Sequence, residues 1–321
     1  MINRDMRIIF MGTPDFATGI LQAIVNEGKH EVCAVVTSVD KAAGRGMKIQ
    51  KSSVKCYAEA CNLPVLQPES LKNEQFLEQL KSYRADIFVV VAFRMLPQVV
   101  WSIPPKGTIN LHASLLPQYR GAAPINWSII NGETITGVTT FFINEKIDEG
   151  KIILKKSIPI EARDNAGTLH DKLMLLGQSA ISETLQSIAD GTCRPMVQKD
   201  EESEGKIASK IFKEHCRINW NLPANKVNNL IRGLSPYPAA FTAFCNDKGE
   251  QITMKIYASH VGTPIADDLP GTIRSDDKNY LYITCQDACV FVDEIQLFGK
   301  KRLIIRDFLL GNKGLDGKKT V

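Results

Sequence analysis

Residues 7–37 read as a strand, a helix and a second strand in direct succession, and that opening commits the chain to an α/β fold. Arg7-Ile-Ile-Phe-Met11 is a short apolar run closed by Gly12, the signature of a strand buried on both faces. Asp15 to Asn26 follows with Phe16, Ile20 and Ile24 at helical spacing, flanked by Leu21 and Val25. Glu31 to Thr37 is the next strand, which completes a βαβ unit. The pattern continues with helical spacing over Val54–Cys61 and Glu74–Tyr83. Strand-like runs lie at Pro64–Leu66, Ile87–Ala92 and Lys106–Asn110. A helix is expected from Ala123 to Asn131. Antiparallel strands are expected at Thr134–Asn144 and Lys151–Ile160, around an Asp148-Glu-Gly150 turn. A long amphipathic helix is expected from Gly167 to Asp190.

The texture changes near residue 200. A polar, acidic stretch at Gln198–Gly205 gives way to a basic one at Lys206–Glu214. Beyond Pro236 the chain reads as short strands with turn signals: Ala240–Cys245, Thr253–Ser259, Gly271–Ile273, Leu281–Thr284 and Val290–Leu297. That spacing suggests a small barrel or sandwich. The boundary between the α/β part and the small β domain is expected near residues 200–210. A length of 321 residues is enough for two domains. No apolar run approaches the ~20 residues that span a bilayer. The N-terminus lacks the apolar core and small-residue site of a secretory signal, so a cytoplasmic location is expected.

The net charge of +4 is small, but it is unevenly distributed. From Lys206 onward there are 17 basic against 12 acidic residues; before it there are 22 against 23. The excess in the last third is either a solvated basic face or a footprint for a polyanion. The eight cysteines show neither a CxxC pair nor a Cys/His cluster at zinc spacing. Reduced thiols and no metal are therefore expected, with several cysteines, such as Cys33, inside apolar strands.

Two segments could carry chemistry. Gly12-Thr-Pro-Asp-Phe16 lies where a dinucleotide-binding turn would sit, but Pro14 and Phe16 occupy positions where glycines would admit a pyrophosphate. A nicotinamide dehydrogenase is disfavoured. The richer segment runs from Asn110 to Pro124. Asn110 and His112 are two apart at a strand end, so they project to one side. Strand C-termini of parallel sheets are where sites gather. An amide donor beside an imidazole suits a reaction that builds negative charge on oxygen. Asp148 is a third candidate, although spacing alone does not bring it near His112.

Taken together these blocks resemble the methionyl-tRNA formyltransferase family. The resemblance rests on Arg7-Ile-Ile-Phe-Met-Gly-Thr-Pro-Asp-Phe16, Ala43-Gly-Arg-Gly46, Val89-Val-Val-Ala92, Asn110-Leu-His112, Ser114-Leu-Leu-Pro117, Tyr119-Arg-Gly-Ala-Ala-Pro124 and Asp148-Glu-Gly150. It implies a formyltransferase-type, Rossmann-like α/β catalytic domain at 1–200 with a doubly wound, mostly parallel sheet, a basic linker at 201–213 and an OB-like, tRNA-binding β-barrel at 214–321. It also implies 10-formyltetrahydrofolate as formyl donor, the α-amine of methionyl initiator tRNA as acceptor, and no metal. Asn110, His112 and Asp148 fall on the family's catalytic positions. The folate would lie against Val91, Ala92, Phe93, Arg94 and Leu96 and the strand–turn leading to Asp148, with Ser114, Leu115, Leu116 and Pro117 also among its binding residues. Where the family commonly has Ala-Tyr-Gly, this chain has Ala92-Phe93-Arg94. Arg94 would resist a positive φ there, or alternatively offer a cation to the folate. For tRNA the resemblance implies Lys41, Arg45 and Lys48 in one basic loop and Lys206, Lys210 and Lys213 in the linker. Formylation of initiator tRNA would belong to bacterial or organellar translation; the N-terminus is not transit-like, so the bacterial cytoplasm is expected, and the absence of an obvious interface pattern favours a monomer. Rival readings are an amino-sugar nucleotide formyltransferase, a glycinamide ribonucleotide formyltransferase, and a non-catalytic RNA-binding protein on the same scaffold.

Overall fold

The computed structural model describes residues 6–43, 48–199, 205–263 and 268–321. The chain forms two compact units that interleave along the sequence. One comprises residues 1–121, 135–158 and 170–207; the other comprises 122–134, 159–169 and 208–321.

In chain order the elements begin β1 (Arg7–Gly12), α1 (Asp15–Glu27), β2 (Glu31–Val36), β3 (Lys41–Ala43), β4 (Lys48–Gln50), α2 (Ser53–Ala60), β5 (Val65–Leu66) and α3 (Glu74–Ser82). They continue β6 (Ile87–Val91), α4 (Gln98–Trp101), β7 (Thr108–His112), β8 (Arg120–Gly121), α5 (Pro124–Ile130), β9 (Ile135–Phe142), β10 (Ile152–Pro159) and α6 (Ala166–Ala189). The remainder is β11 (Ile207–Ala208), α7 (Ala224–Leu234), β12 (Ala240–Cys245), β13 (Gln251–Gly262), β14 (Ile273–Ser275), β15 (Leu281–Thr284), β16 (Cys289–Leu297), β17 (Leu303–Ile304) and α8 (Ile305–Gly311).

The first unit is built on a seven-stranded sheet of order β10-β9-β7-β6-β1-β2-β5. Strands β5, β2, β1, β6 and β7 run parallel, and β9 joins antiparallel to β7. The apolar runs predicted from sequence are the central strands: Ile8, Ile9, Phe10 and Met11 of β1 and Ile87, Phe88 and Val89 of β6 are fully buried. Helix ends follow local chemistry. The Ser52 hydroxyl accepts from the Lys55 amide at 3.1 Å, and the Asn73 side chain accepts from the Phe76 amide at 3.0 Å; each caps the helix that follows. Gly28 ends α1 in the left-handed conformation, φ 64°.

Register places the strand ends that matter level with one another. Gly12 pairs with Val91, and Val91 pairs with Leu111. A Cβ on Gly12 would lie 2.6 Å from Ala17 Cβ and 3.0 Å from the Val91 carbonyl, so only glycine fits that crossing. The turn after β1, the loop after β6 and the end of β7 therefore meet at one edge of the sheet.

The second unit is a curled antiparallel sheet of order β12-β13-β16-β15-β14, with β17 beside β16. It forms a half-barrel around Ile256, Ile273, Leu281, Ile283, Val290 and Ile295. Residues 317–321 span its two open edges. Thr320 bridges to Phe244 in β12, while Lys319 bridges to Thr272 just before β14. The Val321 amide donates to the Ala243 carbonyl and the Ile273 amide to the Lys318 carbonyl, at 2.9 and 2.8 Å. Strand β13 runs from Gln251 to Gly262, longer at both ends than its periodicity indicates. Helix α7, missed in the sequence reading, buries Val227, Ile231 and Leu234 on the half-barrel core. Among the described residues no helix is long and apolar enough to cross a membrane.

All eight cysteines are free thiols. Cys33, Cys216, Cys285 and Cys289 are buried, and burial raises each thiol above its ordinary pKa, pushing Cys285 up to about 12. Cys56 and Cys245 are exposed. Because the thiolate is the reactive form, a disulfide reagent at neutral pH should label Cys56 and Cys245 first. Peptide mapping should find the four buried thiols labelled only after unfolding; rapid native labelling of Cys285 would contradict this packing.

Candidate active site

The sheet edge carries Asn110 and His112 on β7, with His112 as its last residue. The His112 ring is buried, and its Nε2 lies 2.8 Å from the Tyr119 carbonyl. A carbonyl can only accept, so Nε2 holds the proton and Nδ1 is left to exchange one. Nδ1 faces Asp148 Oδ2 at 3.7 Å. That separation is too long for a direct hydrogen bond. Asp148 Oδ2 is itself oriented by the Gly121 amide, which donates at 2.9 Å. The half-buried Asn110 carboxamide makes no side-chain hydrogen bond to the described residues, leaving an N–H available at the sheet edge.

The loop from Ala113 to Tyr119 is held from below. Leu116–Pro117 is a cis peptide. The Thr139 hydroxyl donates to the Ser114 carbonyl at 2.7 Å and accepts from the Leu116 amide at 3.1 Å. The Ser114 hydroxyl donates to the Gln118 carbonyl at 2.7 Å. His112 pairs with Thr139 across the β7–β9 ladder, so the antiparallel strand supplies the anchor for the loop.

Backbone strain gathers here. Of seven non-glycine residues with positive φ among the described residues, Ala92 (45°), Tyr119 (59°) and Asp148 (55°) lie in these loops. Such conformations are costly for a residue bearing a Cβ and concentrate at functional sites. Gly150 has a steric reason, since a Cβ there would sit 1.6 Å from the Phe142 carbonyl. The positive φ in the loop after β6 falls on Ala92, and Arg94 is spared it. The Arg94 guanidinium donates to the carbonyls of Pro68 and Glu69 and lies 5.6 Å from the Phe93 ring centroid.

Of the nine residues expected against a folate, Ala92, Phe93, Arg94 and Leu115 keep accessible surface. Val91, Leu96, Ser114, Leu116 and Pro117 are buried beneath them. Met95 is 74% exposed and Val99 52%, which leaves apolar surface open beside Leu96.

The basic segments lie elsewhere. Lys41 and Lys48 are on the β3–β4 hairpin, a feature the sequence reading left as loop. Arg45, between them in the sequence, lies outside the described residues, as does the side chain of Lys48. The base of the hairpin is tied down. Lys55 Nζ donates to Asp40 Oδ2 and Gln67 Oε1 at 2.6 Å each, and the Thr37 and Ser52 hydroxyls are 2.8 Å apart. In the other basic segment the Lys206 carbonyl accepts from the Tyr119 amide at 2.7 Å, so the peptide beside His112 also anchors the start of the linker. Lys210 and Lys213 are exposed, and Lys210 Nζ lies 5.6 Å from the centroid of Phe212, itself 53% exposed. The sequence reading assigned no role to Thr139, to the Tyr119 carbonyl or to the Gly121 amide. Two of these are main-chain groups that every residue carries, and Thr139 acts only through strand register.

A mostly parallel sheet with Asn-x-His at a strand end and an aspartate across from it is the arrangement that the formyltransferase resemblance implies. In agreement, the Formyl transferase family model matches residues 6–185, and the Formyl transferase, C-terminal domain model matches residues 210–313. The methionyl-tRNA formyltransferase of Bacteroides thetaiotaomicron is 51% identical over 322 residues, 99% of each chain. The chain belongs to the methionyl-tRNA formyltransferase family. Solved structures share the fold. WlaRD, a sugar 3N-formyl transferase, superposes with a TM-score of 0.65 at 21% identity, over 93% of this chain and 100% of its own. HypX from Aquifex aeolicus, in complex with tetrahydrofolic acid, gives 0.64 at 18% identity, over 95% of this chain and 47% of its own.

Thr139→Val removes one donor and one acceptor from a buried site. Leaving the Ser114 carbonyl and Leu116 amide unsatisfied should cost about 1–3 kcal/mol. Urea unfolding of the variant should show that loss; stability equal to the parent's would show that Thr139 does not carry the loop.

Proposed function

We propose that the protein transfers the formyl group of 10-formyltetrahydrofolate to the α-amine of methionine esterified to initiator tRNA, and that it acts as a monomer in the bacterial cytoplasm. The observation that carries the reading is the pairing of about 50% identity to methionyl-tRNA formyltransferases over nearly the whole chain with a sheet edge bearing Asn110, His112 and Asp148.

The chemistry follows from the geometry. The Asp148 carboxylate faces His112 Nδ1 across 3.7 Å and orients the ring. With both ring nitrogens protonated, Nδ1–H joins the Asn110 amide in offering hydrogen bonds to the oxygen on which charge develops. Losing one such donor typically costs ~10²–10³ in rate. Asp148 takes the amine proton directly or through water. The open surface at Ala92, Phe93, Leu115 and Met95 suits a flat heteroaromatic ring. Val91, Leu96, Ser114, Leu116 and Pro117 support that surface from beneath. The folate supplies the activated formyl carbon, so this chain binds, orients and moves protons.

Acceptor recognition falls to the basic segments. Lys41, Arg45 and Lys48 of the basic segment engage the acceptor end, and Lys206, Lys210 and Lys213 engage phosphates further along. Binding through phosphates weakens steeply with salt. We place a catalytic domain at 1–200, a basic linker at 201–213 and an OB-like tRNA-binding domain at 214–321, the last supported by the half-barrel that residues 317–321 bridge.

Purified protein with 10-formyltetrahydrofolate should formylate charged initiator tRNA. Formylation of an amino-sugar nucleotide instead would move the assignment to a sugar enzyme, and activity on neither would remove it. His112→Ala should lower kcat by at least ~10² while filter binding of tRNA persists. Arg45→Ala should raise KM for the tRNA several-fold and leave folate binding alone; an equal loss in folate affinity would disprove the hairpin assignment.

A further inference from the structure

Gln198 lies 50 residues beyond Asp148 in the chain, yet its carboxamide is built into the turn that carries that carboxylate. Nε2 donates to the Asp148 carbonyl and to the Gly150 carbonyl, at 2.8 Å each. Oε1 accepts from Arg120 Nε at 3.1 Å and Arg120 Nη2 at 2.8 Å. A carboxamide has two donor hydrogens and two acceptor positions, and all four are used. The segment is seated by Met196, which exchanges two main-chain hydrogen bonds of 2.8 Å with Ile152, the first residue of β10.

The two backbones that Gln198 joins are those that set the spacing at the site. Arg120 is flanked by Tyr119, whose carbonyl holds His112 Nε2, and by Gly121, whose amide holds Asp148 Oδ2. On the other side, Asp148 adopts φ 55°, which its neighbours must enforce. Asp148 and Gly150 also bracket Glu149, whose Oε1 is 3.7 Å from Arg120 Nη1. The brace therefore closes a ring. It runs from His112 to Tyr119, through Arg120 and Gln198 to the Asp148 main chain, and back across the 3.7 Å gap to His112.

We infer that Gln198 is a positioning residue for formyl transfer, bracing the Asp148 turn against the Tyr119–Gly121 strand so that Asp148 keeps its distance from His112. The inference rests on the proposed role of Asp148. Gln198 bonds main-chain groups and Arg120 and presents nothing to the reacting atoms. Its loss should therefore act on the geometry of the transition state rather than on substrate affinity.

The test compares Gln198→Leu, Gln198→Glu and Asp148→Asn in steady-state formylation, with KM measured for both substrates and Tm recorded for each variant. Gln198→Leu removes all four bonds. Gln198→Glu keeps an acceptor for Arg120 but sets carboxylate oxygens against two carbonyls. Both should lower kcat about tenfold to a hundredfold, with both KM values within about twofold and Tm within a few degrees of the parent. If Gln198→Glu retains parental kcat while Gln198→Leu does not, only the Arg120 contact matters, and the brace on the Asp148 turn is refuted. A loss that follows Tm or KM instead would reduce Gln198 to a structural or binding residue. Parental kcat in both variants, with Asp148→Asn inactive, would overturn the inference alone. Full activity of Asp148→Asn would overturn the site reading beneath it.

Discussion

The carbonyl of Tyr119 is the point on which the site depends. It accepts a hydrogen bond from His112 Nε2–H and so leaves Nδ1 facing Asp148. The amide of the same residue donates to the Lys206 carbonyl, and the amide of Gly121 orients the Asp148 carboxylate. One short stretch of main chain thus sets the tautomer of the histidine, the direction of the aspartate and the position of the Lys206 peptide. Tyr119 reaches this position only with φ at 59°, a conformation that the Thr139 anchor and the Ser114–Gln118 hydrogen bond help to impose on the loop before it.

A parallel sheet makes such an arrangement possible. Buried strands of aliphatic residues hold β1, β6 and β7 in fixed register, so three loops of unrelated sequence emerge side by side. The sheet is rigid because Ile, Val and Phe side chains fill both of its faces, and close packing resists small displacements. The loops themselves are strained. Ala92, Tyr119 and Asp148 each occupy a left-handed conformation that an isolated peptide would avoid, and the stable sheet beneath offsets that cost.

The second unit meets a different constraint. A curled antiparallel sheet leaves two edges with unpaired main-chain groups, which invite pairing with other chains. Residues 317–321 cover both edges with a few hydrogen bonds, and α7 covers the apolar interior with Val227, Ile231 and Leu234. The exposed Lys210, Phe212 and Lys213 precede this body on a segment fixed at Trp127, whose indole donates to the Ser209 carbonyl at 2.7 Å. Cation and aromatic ring stand together there, a combination suited to nucleic-acid strands.

Much of the fold was legible in the sequence. The βαβ opening, the strands at Ile87–Val91 and Leu281–Thr284 and the long helix α6 follow from periodicity, because burial of an apolar face dictates where apolar residues recur. Helix α7 was not read, although Val227, Leu230, Ile231 and Leu234 recur in it at helical spacing. The β3–β4 hairpin was missed because Lys and Gln mask its alternation. Asn110 and His112 could be singled out because two residues two apart at a strand end must share a side. The approach of Asp148 to His112 could not, because 36 residues of chain and a crossing between β7 and β9 separate them. The same holds for Thr139, the Tyr119 carbonyl and Gln198. Sequence determined the elements and the residue types that carry charge and protons, through local periodicity and chemistry. Tertiary structure alone decided which of them meet, because register and loop closure are set by packing between segments far apart in the chain.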